Sequence, residues 1–370
     1  VFWLTKAISF FAGAGGLDIG IHEAGFDIKL SVEIESIYCS TLKNNFPNMN
    51  VRKGDIMDYD KNRIYQEAGI DHMEEIDLIF GGSPCQSFST AGKRQAFSDP
   101  RGEAMLKFAE LVNEVQPKFF LLENVRGLLS AALKHRPIEK RGIDFPPFEE
   151  EETPGSALAY LLKKLGNYNV NVKLLNAADY GVPQKRERVF IIGVRNDLDT
   201  TYQFPEPTHS KSGGLTTKPW ITVGEVLSRL TIKEHRYMNY SDERLKYMKL
   251  IPSGGGNWRD LPESIVQQAM GGAYTSGGGK VGFFRRLRVD EPSPTLLTSP
   301  AQKSTNLGHP YEDRPLSMEE YLAIQEFPVN YQVSGSLQQQ YTQIGNAVPI
   351  RLARVLGNSI KNKLKVAQTV

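Results

Sequence analysis

Five short strand-like runs constrain this chain more than any other feature: 6–11, 27–32, 76–80, 118–122 and 189–194. Each is largely apolar, and most close on small or acidic residues. Stretches of helical spacing lie among them at 17–24, 36–45, 103–115 and 157–165. Strands alternating with helices predict an α/β fold built on a mostly parallel, doubly wound sheet. In such a sheet ligands bind outside the carboxyl ends of the strands, so the residues that close each run are the candidates for function.

The first strand is followed by Ala12-Gly13-Ala14-Gly15-Gly16, and glycine permits a tight turn and a close backbone approach to a ligand. The spacing is Gly-x-Gly-Gly, and two readings stand, a nucleotide cradle or an ordinary strand-to-helix turn. The second run closes on Glu33, where a ribose hydroxyl pair is held in nucleotide-binding sheets. Gly54-Asp55-Ile56 adds another acid. The run 76–80, interrupted by Asp77, leads into Gly81-Gly82-Ser83-Pro84-Cys85-Gln86-Ser87-Phe88-Ser89. The chain has two cysteines, which excludes a disulfide framework. Cys39, in the helical stretch 36–45, reads as core, whereas Cys85 sits on a strand-to-loop turn within reach of a substrate. The polar stretch 86–102 after it is either a lid or a surface loop.

The run 118–122 closes on Glu123-Asn124-Val125. Glu123 is either a carboxyl kept partly protonated by its apolar strand or the cap of the next turn. A charged insertion at 134–155 has no period and reads as a flexible surface loop. Gln184-Lys185-Arg186-Glu187-Arg188 puts two arginines on one face of a strand entry, for an anion, a base edge or nearby acids. From about residue 201 glycine and proline become dense, which predicts a second, loop-rich domain with short strands. There Trp258 and the cluster Arg285-Arg286-Leu287-Arg288 suit either phosphate and base contacts or a solvated face. Ser317 and Glu320 form a capping box at the start of a helix over 317–327, and a last helix covers 351–364. The net charge of +2 is too small to draw nucleic acid by itself, so any basic surface is local. The sequence shows neither a membrane-length apolar run nor a secretory signal, and a cytoplasmic protein with reduced thiols is expected.

Seven segments occur in a fixed order: Phe-Ala-Gly-Ala-Gly-Gly-Leu, Glu33, Gly-Asp-Ile, Ser-Pro-Cys-Gln-Ser-Phe-Ser, Glu-Asn-Val, Gln-Lys-Arg-Glu-Arg and Gln-Ile-Gly-Asn-Ala-Val-Pro. The chain thereby resembles the DNA (cytosine-5)-methyltransferases of bacterial or phage restriction–modification systems. The resemblance implies a Rossmann-like S-adenosylmethionine domain over 1–200, a smaller target-recognition domain over 201–324, and a C-terminal return over 325–370 that completes the first. Phe11, Gly13, Gly15, Gly16, Leu17, Glu33, Ile34, Asp55, Ile56, Pro84, Asn346 and Val348 would then hold the cofactor. Cys85 would be the nucleophile, Glu123 would face cytosine N3 and N4, Arg188 would contact O2, and Arg186 would support the active-site loop. Gln86, Ser87, Ser89, Arg285, Arg286 and Arg288 would touch DNA lying between the two domains. Two positions depart from the pattern: Ile34 stands where an aromatic is frequent, and Met318 where an arginine is common. Duplex DNA is the expected partner, with a monomeric enzyme, a separately encoded endonuclease, residence at the nucleoid and no metal. Two other readings remain: a transfer-RNA cytosine methyltransferase on the same motifs, and a catalytically silent DNA- or cofactor-binding protein.

Overall fold

The structure is a computed structural model that describes residues 5–84, 97, 100–232, 234–277 and 279–367. The chain divides into two compact units, Val1–Leu175 with Glu187–Glu206 and Leu352–Val370, and Asn176–Arg186 with Pro207–Arg351. The first unit carries β1 (Thr5–Phe10), α1 (Gly16–Glu23), β2 (Phe26–Glu33), α2 (Ser36–Asn45), β3 (Val51–Lys53), α3 (Lys61–Ala68), β4 (Leu78–Gly82), α4 (Pro100–Val115), β5 (Phe119–Val125), α5 (Ser156–Lys164) and β6 (Tyr168–Asn176). The two-residue β7 (Gln184–Lys185) follows, then β8 (Glu187–Arg195).

Seven strands form one sheet in the order β3-β2-β1-β4-β5-β8-β6. The first five pair in parallel, and β8 runs antiparallel to β5. Ile8, Leu30, Ile79, Phe120 and Ile191 are fully buried, as expected where helices cover both faces of a parallel sheet. The chain winds one way from β1 through β2 to β3 and the other way from β4 to β5. The switch point therefore lies between β1 and β4, where such sheets bind ligands.

The strand expected at 76–80 is observed two residues later, at Leu78–Gly82, and Asp77 just before it still donates its N–H to Lys6 O and accepts from Phe119 N–H. Its carboxylate accepts the backbone N–H of Lys6 and the Nζ of Lys118, both at 2.8 Å. The displacement brings Gly81 and Gly82 into β4 itself. The loop expected over 86–102 ends earlier than its composition suggests, since α4 begins at Pro100. Phe97 is buried against the Tyr160 ring, while the rest of 85–99 lies outside the described residues. The insertion 134–155 has single turns of 3-10 helix and its own anchor, Arg136, which binds Glu152 and the carbonyls of Pro146 and Pro147.

The second unit contains the short strands expected, the two-residue His209–Ser210, Lys218–Pro219 and Ser293–Pro294, but most of its regular structure is a set of helices. They are α6 (Val223–Arg229), α7 (Asp242–Met248), α8 (Glu263–Met270), α9 (Met318–Ile324) and α10 (Leu337–Asn346). Helices of seven to ten residues span too few turns for a period to show against dense glycine and proline. Tyr240, Met248, Ile251, Val266 and Phe284 make its core. Ser317 and Glu320 form the expected capping box of α9. Met318 is fully buried there, and the nearby polar link is a two-pronged pair in which Arg314 donates to both Glu320 oxygens at 2.8 and 2.9 Å.

The last helix, α11 (Ile350–Ala367), returns from residue 352 onward to the first unit. Gly357 allows a close approach, since a Cβ there would come within 2.7 Å of Ala24 on the segment after α1. Among the described residues no helix is long and apolar enough to cross a membrane.

Candidate active site

At the switch point the chain leaves β1 through a strained turn. Phe11 has φ +56°, a left-handed conformation that costs a bulky residue of order 1–3 kcal/mol. Gly13 and Gly15 follow at +56° and +85°, where only glycine is free of strain. The turn is tied to Glu33 at the end of β2. The Glu33 carboxylate accepts the N–H of Gly13 at 2.7 Å and that of Glu35 at 2.9 Å. Burial nevertheless pushes its pKa up, against the pull of those amides.

A carboxylate has about four lone-pair sites, so two amides leave room for a vicinal diol. Ile34, beside it, leaves 54 % of its surface exposed, an apolar face beside a polar clamp. Asp55 caps the short turn that begins at Ile56, accepting from Met57 N–H at 3.0 Å, and Gly54 N–H donates to Glu33 O. The donor set and the glycine turn fit a ligand that joins a ribose diol to a flat apolar ring. S-adenosylmethionine is such a ligand.

Asp18, not singled out by any motif, lies in the first turn of α1. It is 1 % exposed and accepts from Ser31 Oγ on β2 at 2.8 Å. Burial pushes its carboxyl up to about 6.

The second cluster lies at the ends of β4, β5 and β8. Glu123 on β5 is opposite Gly82 of β4 on one side and Phe190 of β8 on the other. Arg188, two residues before Phe190, is a diagonal neighbour on the same face, and its Nε lies 3.0 Å from Glu123 Oε1. The buried Glu123 is therefore held by a guanidinium as well as by the apolar strand. Gly82 makes room for it, since a Cβ there would stand 2.8 Å from Glu123 Oε2.

Asn124, the next residue, is buried and donates from Nδ2 to Ser83 Oγ at 2.9 Å, while its Oδ1 accepts Val125 N–H. It thereby pins the residue before Pro84. Cys85, Gln86, Ser87 and Ser89 lie outside the described residues. Gly82 and Asn124 are the parts of this cluster that sequence reasoning passed over. The adjacency of Asn124 to Glu123 in the Glu-Asn-Val segment was the available signal.

Arg186, Asn346 and Val348 belong to the second unit. Arg186 is buried and donates to the carbonyls of Leu296 at 3.2 Å and Asn346 at 3.1 Å. Gln184 Nε2 donates a buried hydrogen bond of 2.9 Å to Gln325 Oε1, and Gln325 Nε2 donates to the carbonyls of Ile344 and Ala347. The segment 344–348 is thus fixed by side chains, with Val348 buried and the Asn346 side chain exposed.

The arginine cluster separates into three different roles. Arg286 was expected at DNA but is 3 % exposed. Its guanidinium is taken up by the carbonyls of Met248, Ile251, His309 and Glu312 and by Asp313, so it braces the unit and has no edge left for a phosphate. Arg288 is exposed and pairs with Asp290 and Glu291. Arg285 is half-buried, with Nε donating to Asn306 O at 3.0 Å.

Residues 5–362 match the family model for C-5 cytosine-specific DNA methylase. The chain is 40 % identical over 356 residues to the Type II methyltransferase M.Sau96I of Staphylococcus aureus, covering 96 % of this chain and 75 % of that one. It is 38 % identical over 366 residues to the Type II methyltransferase M.PspPI of a Psychrobacter species, covering 97 % and 80 %. Among solved structures, a putative DNA modification methyltransferase encoded within an Escherichia coli prophage superposes with a TM-score of 0.66 at 26 % identity, covering 97 % of this chain and 99 % of that one. The Rossmann-like sheet agrees with these matches, and the chain belongs to the C-5 cytosine-specific DNA methylase family.

Proposed function

We propose that this protein transfers a methyl group to carbon 5 of a cytosine flipped out of a short, specific duplex DNA site, through a covalent adduct between Cys85 and carbon 6. The observation that carries the reading is the Glu123–Arg188 pair, seated over Gly82 at the end of the strand that leads to Cys85. S-adenosylmethionine, held by Glu33, the 11–17 turn, Ile34, Asp55 and Ile56, supplies an electrophilic methyl group when bound.

The chemistry needs each of the other groups. Carbon 5 of cytosine is a poor nucleophile until a thiolate adds at carbon 6 and turns the ring into an enamine. A free thiol with a pKa of about 8.5 is only a few per cent ionised at neutral pH, so the negative charge that develops on the ring must be countered. Glu123, once protonated, would give that proton to N3 as the sulfur–carbon bond forms, and Arg188 would offer a fixed positive charge at O2. Carbon 5 would then take the sulfonium methyl group, whose bond to sulfur breaks to leave S-adenosylhomocysteine; a water-derived base would remove the carbon 5 proton, and the bond from Cys85 sulfur to carbon 6 would break to release the thiolate. Asn124 acts through Ser83 on the position of Cys85. A cytosine stacked in a duplex exposes neither face of carbons 5 and 6, so the base is extruded at a cost of a few kcal/mol.

The second unit, within which the sequence placed target recognition at 201–324, would supply the DNA contacts, Arg285 and Arg288 among them. The segment 325–370 would complete the catalytic domain of 1–200. A monomer in the cytoplasm, associated with the nucleoid when bound and encoded beside a separate endonuclease, suits a modification enzyme. Bisulfite sequencing of plasmid DNA from cells expressing the protein tests the reading. A fixed short context around each methylcytosine supports it. Unmethylated plasmid, or label entering only transfer RNA in a side-by-side assay, overturns it.

A further inference from the structure

We propose that Arg285 reads a guanine in the major groove through a two-pronged hydrogen bond from its guanidinium to O6 and N7. The proposal rests on DNA methylation being the function. It starts from how rigidly this one arginine is presented. Phe284, just before it, has φ +48° in a buried position, its ring edge-on to Tyr247 at 5.6 Å. A strained bulky residue of that kind persists only where its surroundings impose it, and such strain gathers at functional sites.

The Arg285 carbonyl accepts from Gly308 N–H at 3.0 Å and from Asn306 Nδ2 at 2.9 Å, while Asn306 O accepts from Arg285 Nε at 3.0 Å. Asn306 is itself fully buried, and its Oδ1 is held by Arg244 Nη2 at 2.9 Å. Backbone and side chain of Arg285 are therefore fixed from both ends by one residue.

What is left over is the far edge of the guanidinium. Among the described residues Nε is its only hydrogen-bonded nitrogen, and no carboxylate pairs with it. Arg285 is half-buried, so its guanidinium is recessed without being sealed off from solvent. Burial pulls this guanidinium below the usual arginine range, and Tyr321 opposes that pull only in part. A desolvated charge without a partner is costly unless a ligand completes it.

The shape of that ligand follows from the fork. A fixed fork with two parallel donors can grip two phosphate oxygens or two coplanar acceptors of a base edge. Recession favours a base edge that reaches in over a backbone phosphate, and in the major groove guanine alone offers such an acceptor pair, O6 and N7.

The test uses the full-length protein and duplex oligonucleotides carrying the methylation site mapped by bisulfite sequencing. Each guanine is replaced in turn by 7-deazaguanine, which lacks the N7 acceptor, and kcat/KM for methylation and Kd are measured. One position is expected to lose about ten- to a hundredfold in the unmodified protein. Arg285→Lys should lose a comparable factor on ordinary DNA and show no further loss with 7-deazaguanine at that position. Should Arg285→Lys lower the melting temperature, Arg285→Gln supplies the same comparison with a smaller desolvation demand. A variant that weakens binding equally on all sequences and keeps the 7-deazaguanine penalty overturns the assignment, as does a site with no N7-sensitive guanine. Absence of methylation by the unmodified protein would instead overturn the proposed function, and this assignment with it.

Discussion

Replacing Gly82 by alanine should separate stability from activity in this enzyme. The added Cβ would stand 2.8 Å from Glu123 Oε2, and ordinary contact begins at 3.4 Å. The next nearest atom is Glu123 Cδ at 3.9 Å, so the strain falls wholly on the free end of one side chain. Backbone is not obstructed, and Gly82 does not have a left-handed φ. The fold should therefore accept Gly82→Ala, and reduced freedom of the unfolded chain contributes about 0.4–1 kcal/mol in its favour. The carboxylate, however, must retreat by roughly 0.6 Å or more, out of its 3.0 Å pairing with Arg188. Misplacement of a reacting group by 1 Å costs on the order of a hundredfold, so a loss of about ten- to a hundredfold in kcat is expected. Transfer of tritiated methyl groups to DNA gives the rate and thermal denaturation gives the stability. In a Glu123→Ala background the same substitution should have no further effect on rate, because the displaced group is already gone. A rate within threefold of the unmodified protein at unchanged melting temperature would refute the placement of Glu123. So would a full additional loss in the Glu123→Ala background.

Gly81→Ala, one residue earlier, makes a contrast, because its Cβ would meet the Phe10 carbonyl at 2.6 Å. Strain against backbone should lower stability by about 1–3 kcal/mol, and denaturant titration showing no loss would contradict the packing of β1 on β4. Asp18 gives a pH signature. Its carboxyl is raised from 3.8 to about 6, so its stabilising contribution is full below about pH 4 and is lost as pH rises through about 6. Asp18→Asn stays neutral throughout. Its stability relative to the unmodified protein should climb from near zero at about pH 4 to on the order of 3 kcal/mol at about pH 7, and urea titrations giving a flat difference would refute the buried carboxyl. Glu320→Ala leaves the buried Arg314 with Glu312 as its remaining carboxylate, and a loss of about 3 kcal/mol, the low end for a broken buried pair, is expected by calorimetry; less than 1 kcal/mol would mean that the pair is not buried as described.

The centre of the sheet was legible because β1, β4, β5 and β8 are mostly buried apolar runs that end on residues of a different character. Glu33 and Glu123 could be read as strand-end acids, and their places at the ends of β2 and β5 follow from that. The register of β4 was not legible, because the role of Asp77 depends on Lys6 and Lys118, which lie far away in sequence. The space that Gly82 leaves for Glu123 is likewise a cross-strand fact that no single segment contains. In the second unit the short helices gave no period. The three arginines at 285–288 looked alike, since what distinguishes them is supplied by carbonyls and acids between residues 248 and 313. Asp18 was hidden by its place in a helix, where an acid in the first turn reads as a favourable dipole contact and not as a buried group.

The central claim is covalent catalysis by Cys85, and a trapped adduct tests it most directly. With 5-fluorocytosine at the mapped target position, carbon 5 carries fluorine in place of the proton that must leave, so the elimination step cannot release the enzyme. In the presence of S-adenosylmethionine the account predicts a protein–DNA species that survives denaturation, with the oligonucleotide attached at Cys85 in peptide mass spectrometry, and no such species from Cys85→Ser. Attachment at another residue, or undiminished methylation of ordinary DNA by Cys85→Ser, would contradict it.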